Sequence, residues 1–269
     1  MKPRESARYP DLPLVQTTCG LLLKGTKPKW AGFSAIVMTS LVLLPGADGA
    51  TIYADGNDGM VEIRSDWSGP AIQNNDSWEG NVGEWFGNGL TTIVIPFELP
   101  NLGAVANPFL SADFSVMVHT IGNNTVTDVD LYGVRVSSSP TIAASDHYHG
   151  AAADPGATLI QASFLTPSSS AGFVGVPNNS TDSTGDANLL SYLNSAYDGG
   201  SGAGQFVFLR LSYAADDYAA GWDAYKITMR NAGQTGEWPV INYTAVPEPG
   251  AALLGGLGML ALLRRRRDA

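Results

Sequence analysis

Gln205-Phe206-Val207-Phe208-Leu209-Arg210-Leu211-Ser212-Tyr213 is the stretch on which the fold turns. From Phe206 to Leu209 every position is apolar. Successive side chains of a strand point to opposite faces, so such a run reads as a central strand, buried on both sides. A glycine-rich segment, residues 199–204, releases the chain into it. Just upstream, residues 186–194 carry Leu189, Leu190 and Leu193 at helical spacing behind Asp186 as N-cap. That is the one helix the body predicts.

Outward from this stretch, period two recurs. Phe114, Val116 and Val118 share one face of a strand at 113–119, and Ile160 and Phe164 flank Ala162 on one face at 158–164. Further strands are expected at 51–54, 60–64, 91–99, 128–136, 224–231 and 240–244. Pro96 removes a ladder donor and predicts an edge strand or a bulge, and Gly133 predicts a second interruption. Turn formers separate the segments, with loops at 137–140, 167–172 and 177–185. The fold class is all-β: a β-sandwich or jelly roll with one short helix, covering residues 50–245 as one domain.

Two apolar segments flank this body. Residues 31–44 follow a basic stretch and precede Pro45-Gly46-Ala47-Asp48-Gly49, the order of a secretory signal, so residues 1–49 are expected to be a signal-peptide region cut after Gly49. The basic stretch is long, which allows a true start downstream of Met1. At the other end, Val246-Pro247-Glu248-Pro249 precedes an uncharged run at 250–263 and then Arg264, Arg265, Arg266 and Arg267. The run has no polar face, the mark of a buried or membrane helix. Four guanidinium groups cannot follow it inward, and they hold that flank on the cytoplasmic side as a membrane stop. The run is shorter than the ~20 residues of a full span.

The tail at 246–269 resembles the PEP-CTERM sorting signal of Gram-negative bacteria that make extracellular polysaccharide. Pro247-Glu248-Pro249, the short apolar helix and the terminal arginines carry the match. The resemblance implies recognition by an exosortase, a membrane protease-transpeptidase, with the inner membrane as a transient or anchoring partner. A second resemblance concerns the body. Residues 92–100 and 110–116 are similar to the core of secreted jelly-roll modules of the DNRLRE type, relatives of carbohydrate-binding modules, and residues 128–132 also fit. Glu98 stands where those modules carry Asp, and their arginine-rich signature is absent. This implies a fold rather than a site.

Charge narrows the partners. Between Ala50 and Pro249 stand five basic residues against 21 acidic ones, a balance near −16. Nucleic acid and anionic membrane surfaces require clustered Lys and Arg and are excluded as partners of the body. Cys19, the only cysteine, precedes the first apolar segment, so the exported body has no disulfide and depends on its core.

Chemistry-bearing residues are few. Asp55, Asn57 and Asp58 lie in an Asx-Gly turn and are the candidate structural calcium ligands, although the EF-hand spacing is missing. Trp78 and Trp85 are the candidate ligand-binding aromatics, for stacking on sugar faces, in a stretch that does not alternate and reads as exposed loop. Trp67, Trp222 and Trp238 serve equally well as core plugs. His147 and His149 would share a side if extended, but two histidines fall short of a metal-ligand set and read as loop or core residues. Asp66, Asp76, Glu79 and Glu84 offer carboxylates for acid/base work without a nucleophile or phosphate-loop motif. The reading is therefore an exported, non-catalytic surface or extracellular-matrix protein without an obligate cofactor. A polysaccharide-binding jelly-roll module is the alternative, and a polysaccharide-active enzyme the less favoured one.

Overall fold

The computed structural model describes residues 49–64, 69–73, 79–84, 89–172, 174–216, 223–230, 235–246 and residue 257. All of them fall in the unit Leu44–Ala269. The expected signal segment before Gly49, the tail from Pro247 onward apart from Leu257, Asp66, Asp76 and the tryptophans at 67, 78, 85 and 222 lie outside the described residues.

In chain order the strands are β1 Gly49–Tyr53, β2 Gly59–Arg64, β3 Ala71–Gln73, β4 Glu79–Glu84, β5 Gly89–Glu98, β6 Phe109–Val116, β7 Val118–Ile121, β8 Val129–Ser137, β9 Thr158–Leu165 and β10 Asn179–Ser180. The helix α1, Ser183–Tyr197, follows, and then β11 Phe206–Tyr213, β12 Ala224–Thr228 and β13 Val240–Ala245. Every pairing among them is antiparallel. One sheet has four strands in the order β1-β13-β6-β10. The other has nine, running β7-β12-β4-β5-β11-β8-β9, with β2 and β3 branching from β5. The all-β sandwich with one short helix is the observed architecture.

β11 is central, between β5 and β8. Its Val207, Leu209 and Leu211 enter the main core with Ile93, Ile95 and Phe97 of β5, Phe114 and Val116 of β6, and Ile241 of β13. Phe208, on its other face, joins Val61, Val94 and Ile142 in a second apolar cluster. Ile142 belongs to a strap, residues 138–157, that covers the outer face of the nine-stranded sheet over β2, β5, β8 and β11. Each fully buried side chain of this size contributes roughly 1.5–3 kcal/mol, and no disulfide supplements them.

Several expectations need correction. β5 is an inner strand despite Pro96, paired with β2 along one edge and with β11 and β4 along the other. The Pro96 carbonyl accepts from Asp55 N at 2.8 Å, past the last β2–β5 partner, Val94, so the missing N–H falls where no ladder needs it. The segment expected as one strand at 113–119 is two, β6 and β7, in different sheets. Ala162 is exposed, because Ser163 adopts a left-handed φ of 51° and turns the strand. The helix starts four residues earlier than Asp186 as N-cap predicts: the true N-cap is Asp182, whose carboxylate accepts from Thr184 N and Gly185 N. Asp186 instead accepts from Thr181 Oγ1 at 2.5 Å. The stretch between Trp78 and Trp85, expected as loop, is strand β4.

The bulge expected at Gly133 is present. Leu209 pairs Gly133 while Phe208 pairs Arg135, so one residue of β8 is extra. Glycine is required here by close packing: a Cβ would stand 2.6 Å from Tyr192 Cζ of α1. Tyr192 OH in turn donates to the Arg135 carbonyl at 3.0 Å. Gly133→Ala is expected to push the ring out, break that bond and lower stability by about 1–3 kcal/mol in urea unfolding. An unchanged midpoint would show that α1 docks more loosely than the structure has it.

Candidate functional site

The four-stranded sheet has two unlike faces, because alternation along β1, β13 and β6 sends Ile52, Ile241 and Phe114 inward. The residues between them form a polar ladder outside. Thr51, Asn242 and Asp113 are direct cross-strand partners. Thr51 Oγ1 donates to Asn242 Oδ1 at 3.0 Å, Asn242 Nδ2 to Asp113 Oδ1 at 3.1 Å, and Ser115 Oγ to the same carboxylate oxygen at 3.3 Å. Ser111 and Thr244 share a hydroxyl–hydroxyl bond of 2.7 Å one step along. Tyr53, about half exposed, ends the row and meets Trp238 edge to face at 6.0 Å. The Arg230 guanidinium lies 4.3 Å over the Trp238 ring. Thr51, Tyr53, Ser115, Asn242, Pro177 and Gly236 line a shallow open groove there. Hydroxyls, an amide and a carboxylate beside an aromatic ring are the groups that bind a sugar's hydroxyls and its apolar face.

A second constellation was hidden from sequence reading. Thr228 Oγ1 lies 2.6 Å from His119 Nε2, and His119 Nδ1 lies 2.8 Å from Glu79 Oε1. Lys226 Nζ donates to Glu79 Oε2 at 3.2 Å. The order hydroxyl, imidazole, carboxylate is that of a hydrolase triad. Thr228 is fully buried, however, so this hydroxyl is closed to a substrate. The cluster satisfies polar groups where β4, β7 and β12 meet. Glu84, at the far end of β4, is buried, and burial, then the Asp223 charge, raise its carboxyl above the usual range. Asp223 accepts from Tyr213 OH at 2.6 Å, Thr127 Oγ1 at 3.1 Å and Val126 N at 3.2 Å. Glu79 and Glu84 are thus separated along β4 rather than brought together as a pair.

The candidate calcium turn joins β1 to β2. Asp55 Oδ1 accepts from Asn57 N at 2.9 Å and Asn57 Nδ2 at 2.6 Å, so the Asn57 amide is turned onto the carboxylate. Asp58 is buried, its Oδ2 accepts from Arg230 N at 2.6 Å, and its Oδ1 has no hydrogen-bond partner. Arg230 also donates to the Ala54 carbonyl, so the cation facing this turn is a guanidinium. Among the described residues no three His, Cys, Asp or Glu side chains converge on a metal position. His147 and His149 lie in the strap, outside any strand, with ring centroids 5.3 Å apart.

Of the tail, Val246 is described and donates its N–H to the Pro108 carbonyl at 2.8 Å, anchoring the exit of β13. No helix among the described residues is long and apolar enough to cross a membrane, and the 250–263 run is not among them apart from Leu257. The molecule is a β-sandwich whose last strand feeds a C-terminal signal. That signal is the PEP-CTERM protein-sorting motif, which matches residues 245–267. The motif marks a protein exported, sorted to the cell envelope and recognised by an exosortase. No curated protein matches the chain.

Burial, outweighing the Arg230 amide and charge, raises the Asp58 carboxyl from 3.8 to about 7. A carboxyl with a raised folded pKa contributes stability that is complete below about pH 4 and is lost as pH rises through about 7. Thermal unfolding is expected to show a fall of up to about 4 kcal/mol between those limits, flattened in Asp58→Asn. Calcium held by ionised Asp58 would reverse the slope, so the same scan with and without calcium tests the expected ion. A flat wild-type profile would contradict a buried carboxyl with one oxygen lacking a hydrogen-bond partner.

Proposed function

We propose that this chain is a non-catalytic protein of the cell surface or extracellular matrix, delivered through its C-terminal signal. The observation that carries the reading is the sorting motif at residues 245–267 on a body of opposite character, acidic and built of sheet. Both apolar end segments carry their basic residues on the side away from the body. Positive flanks stay cytoplasmic, so the body lies across the inner membrane. Burial of the Thr228 hydroxyl supports the non-catalytic reading, since in the alignment of hydroxyl, imidazole and carboxylate found among the described residues the hydroxyl is closed.

The second reading, a module that binds matrix polysaccharide, is favoured by one feature: the Thr51–Asn242–Asp113 ladder beside Tyr53 and Trp238. This face is a candidate beside Trp78 and Trp85, which lie outside the described residues. Its groups are on three adjacent strands and are preorganised by mutual hydrogen bonds, which limits the entropy lost on binding.

Replacing Pro247-Glu248-Pro249 with three alanines is expected to leave full-length, uncut protein at the inner membrane, read by fractionation and surface labelling. Normal display of that variant would reduce the tail to a plain anchor.

For the polysaccharide reading, Tyr53→Ala and Asn242→Ala should each weaken retention on the producing strain's purified exopolysaccharide by about 1–2 kcal/mol. Equal retention of wild type and variants would remove this face as the site and leave the structural role.

A further inference from the structure

His147 and His149 stand where two imidazole nitrogens converge. His147 Nε2 is 3.2 Å from His149 Nδ1, and His147 Nδ1 is 3.2 Å from the Val61 carbonyl. A carbonyl only accepts, so the His147 proton resides on Nδ1 and its Nε2 presents a lone pair toward His149. A ring nitrogen hydrogen-bonded to a backbone carbonyl is the support that metal-ligating histidines use, because it fixes tautomer and ring angle. Two nitrogens bound at about 2.0–2.1 Å to a tetrahedral ion are separated by about 3.3–3.4 Å, close to the separation here. His149 reaches the ligating tautomer by moving its own proton from Nδ1 to Nε2.

We propose that His147 Nε2 and His149 Nδ1 chelate a late first-row divalent cation, Zn2+ or Cu2+, on the strap that covers the nine-stranded sheet. Imidazole pairs select such ions over Ca2+ and Mg2+, which take oxygen ligands. The pair is held in place from both sides. Thr92 Oγ1 donates to the Tyr148 carbonyl between the two histidines at 2.9 Å, and Gly150 N to the Tyr213 carbonyl at 3.0 Å. Upstream, Asp146 takes Arg135 Nε and Nη2 at 2.9 and 3.0 Å. The nearby Arg210 charge is met by Asp154 Oδ2 at 2.6 Å and the Asp146 carbonyl at 3.1 Å, which lessens its repulsion of an ion. Asp216 adds negative charge beside His149 and is itself fixed by Ala151 N at 3.0 Å. Both histidines are only partly buried, so water completes the coordination. Burial, then the neighbouring His149, bring the His147 pKa down to about 4, and burial lowers that of His149.

The chain has three histidines, and the third, His119, has both nitrogens against Glu79 and Thr228. The full chain in mild detergent is titrated with ZnCl2, CuCl2 and CaCl2 by calorimetry, with imidazole 15N NMR on the wild type. One equivalent of Zn2+ or Cu2+ should bind, shift the His147 and His149 signals, leave His119 unmoved and raise the melting temperature by mass action. His149→Ala, checked for fold by circular dichroism, should weaken binding by roughly tenfold or more. The absence of saturable Zn2+ or Cu2+ binding, binding unchanged in His149→Ala, or shifts confined to His119 would overturn the proposal. The NMR result on the unaltered chain stands even if that variant folds poorly.

Discussion

Arg210 puts a full positive charge in the middle of β11, and it is one of the largest fully buried side chains among the described residues. An unpaired guanidinium there would cost several kcal/mol. The path of the strap follows from that constraint. Nε donates to Ser212 Oγ at 2.7 Å within β11, Nη1 to the Asp146 carbonyl at 3.1 Å, and Nη2 to Asp154 Oδ2 at 2.6 Å. The Tyr132 and Tyr148 rings lie 5.1 and 5.3 Å from the guanidinium carbon. Residues 138–157 carry no strand, yet this long connection is tied at two points, Asp146 near its middle and Asp154 near its end, to one buried charge. Arg135, 3.7 Å over the Phe208 ring and forked onto Asp146, repeats the device one strand away.

The strap explains why the two sheets differ. The nine-stranded sheet is covered by the strap over β2, β5, β8 and β11, so apolar residues such as Phe208 and Val94 occupy positions that an ordinary sandwich gives to solvent. The four-stranded sheet has one covered face and carries hydroxyls, an amide and a carboxylate on the other. Both sheets supply the main core, and the four-stranded one also carries an open polar face. The groove beside Tyr53 can vary without disturbing the core, while the histidine pair rides on the structure that closes the second apolar cluster.

Export gives this division a setting. The sorting signal begins where β13 ends, and Val246 is tied back to Pro108 at that point. Without a disulfide in the body, resistance to unfolding rests on the packed sheets and on buried polar groups such as the Glu79–His119–Thr228 cluster, each of whose members has a partner. Such clusters favour one arrangement of strands over others that would leave a charge unpaired.

Period two along single segments was enough to determine the all-β class and the inward face of β6 at Phe114 and Val116, and the unbroken apolar run 206–209 gave β11 its central place, because each is a local pattern of side-chain polarity. The sorting tail was legible for the same reason: proline pair, apolar run and arginines are contiguous. β4 was not legible, since Glu79-Gly80-Asn81-Val82-Gly83-Glu84 holds a single large apolar residue and is a strand only because β12 and β5 pair with it. The helix start was misread by local logic as well, since Asp182 and Asp186 are equally good caps in sequence and the fold chose between them. The polar ladder joins residues 191 and 129 positions apart, and the His119–Thr228 contact spans 109. Strand pairing creates those neighbours. No local period encodes them, so only the tertiary structure decided which polar side chains line the open face and which are buried with partners.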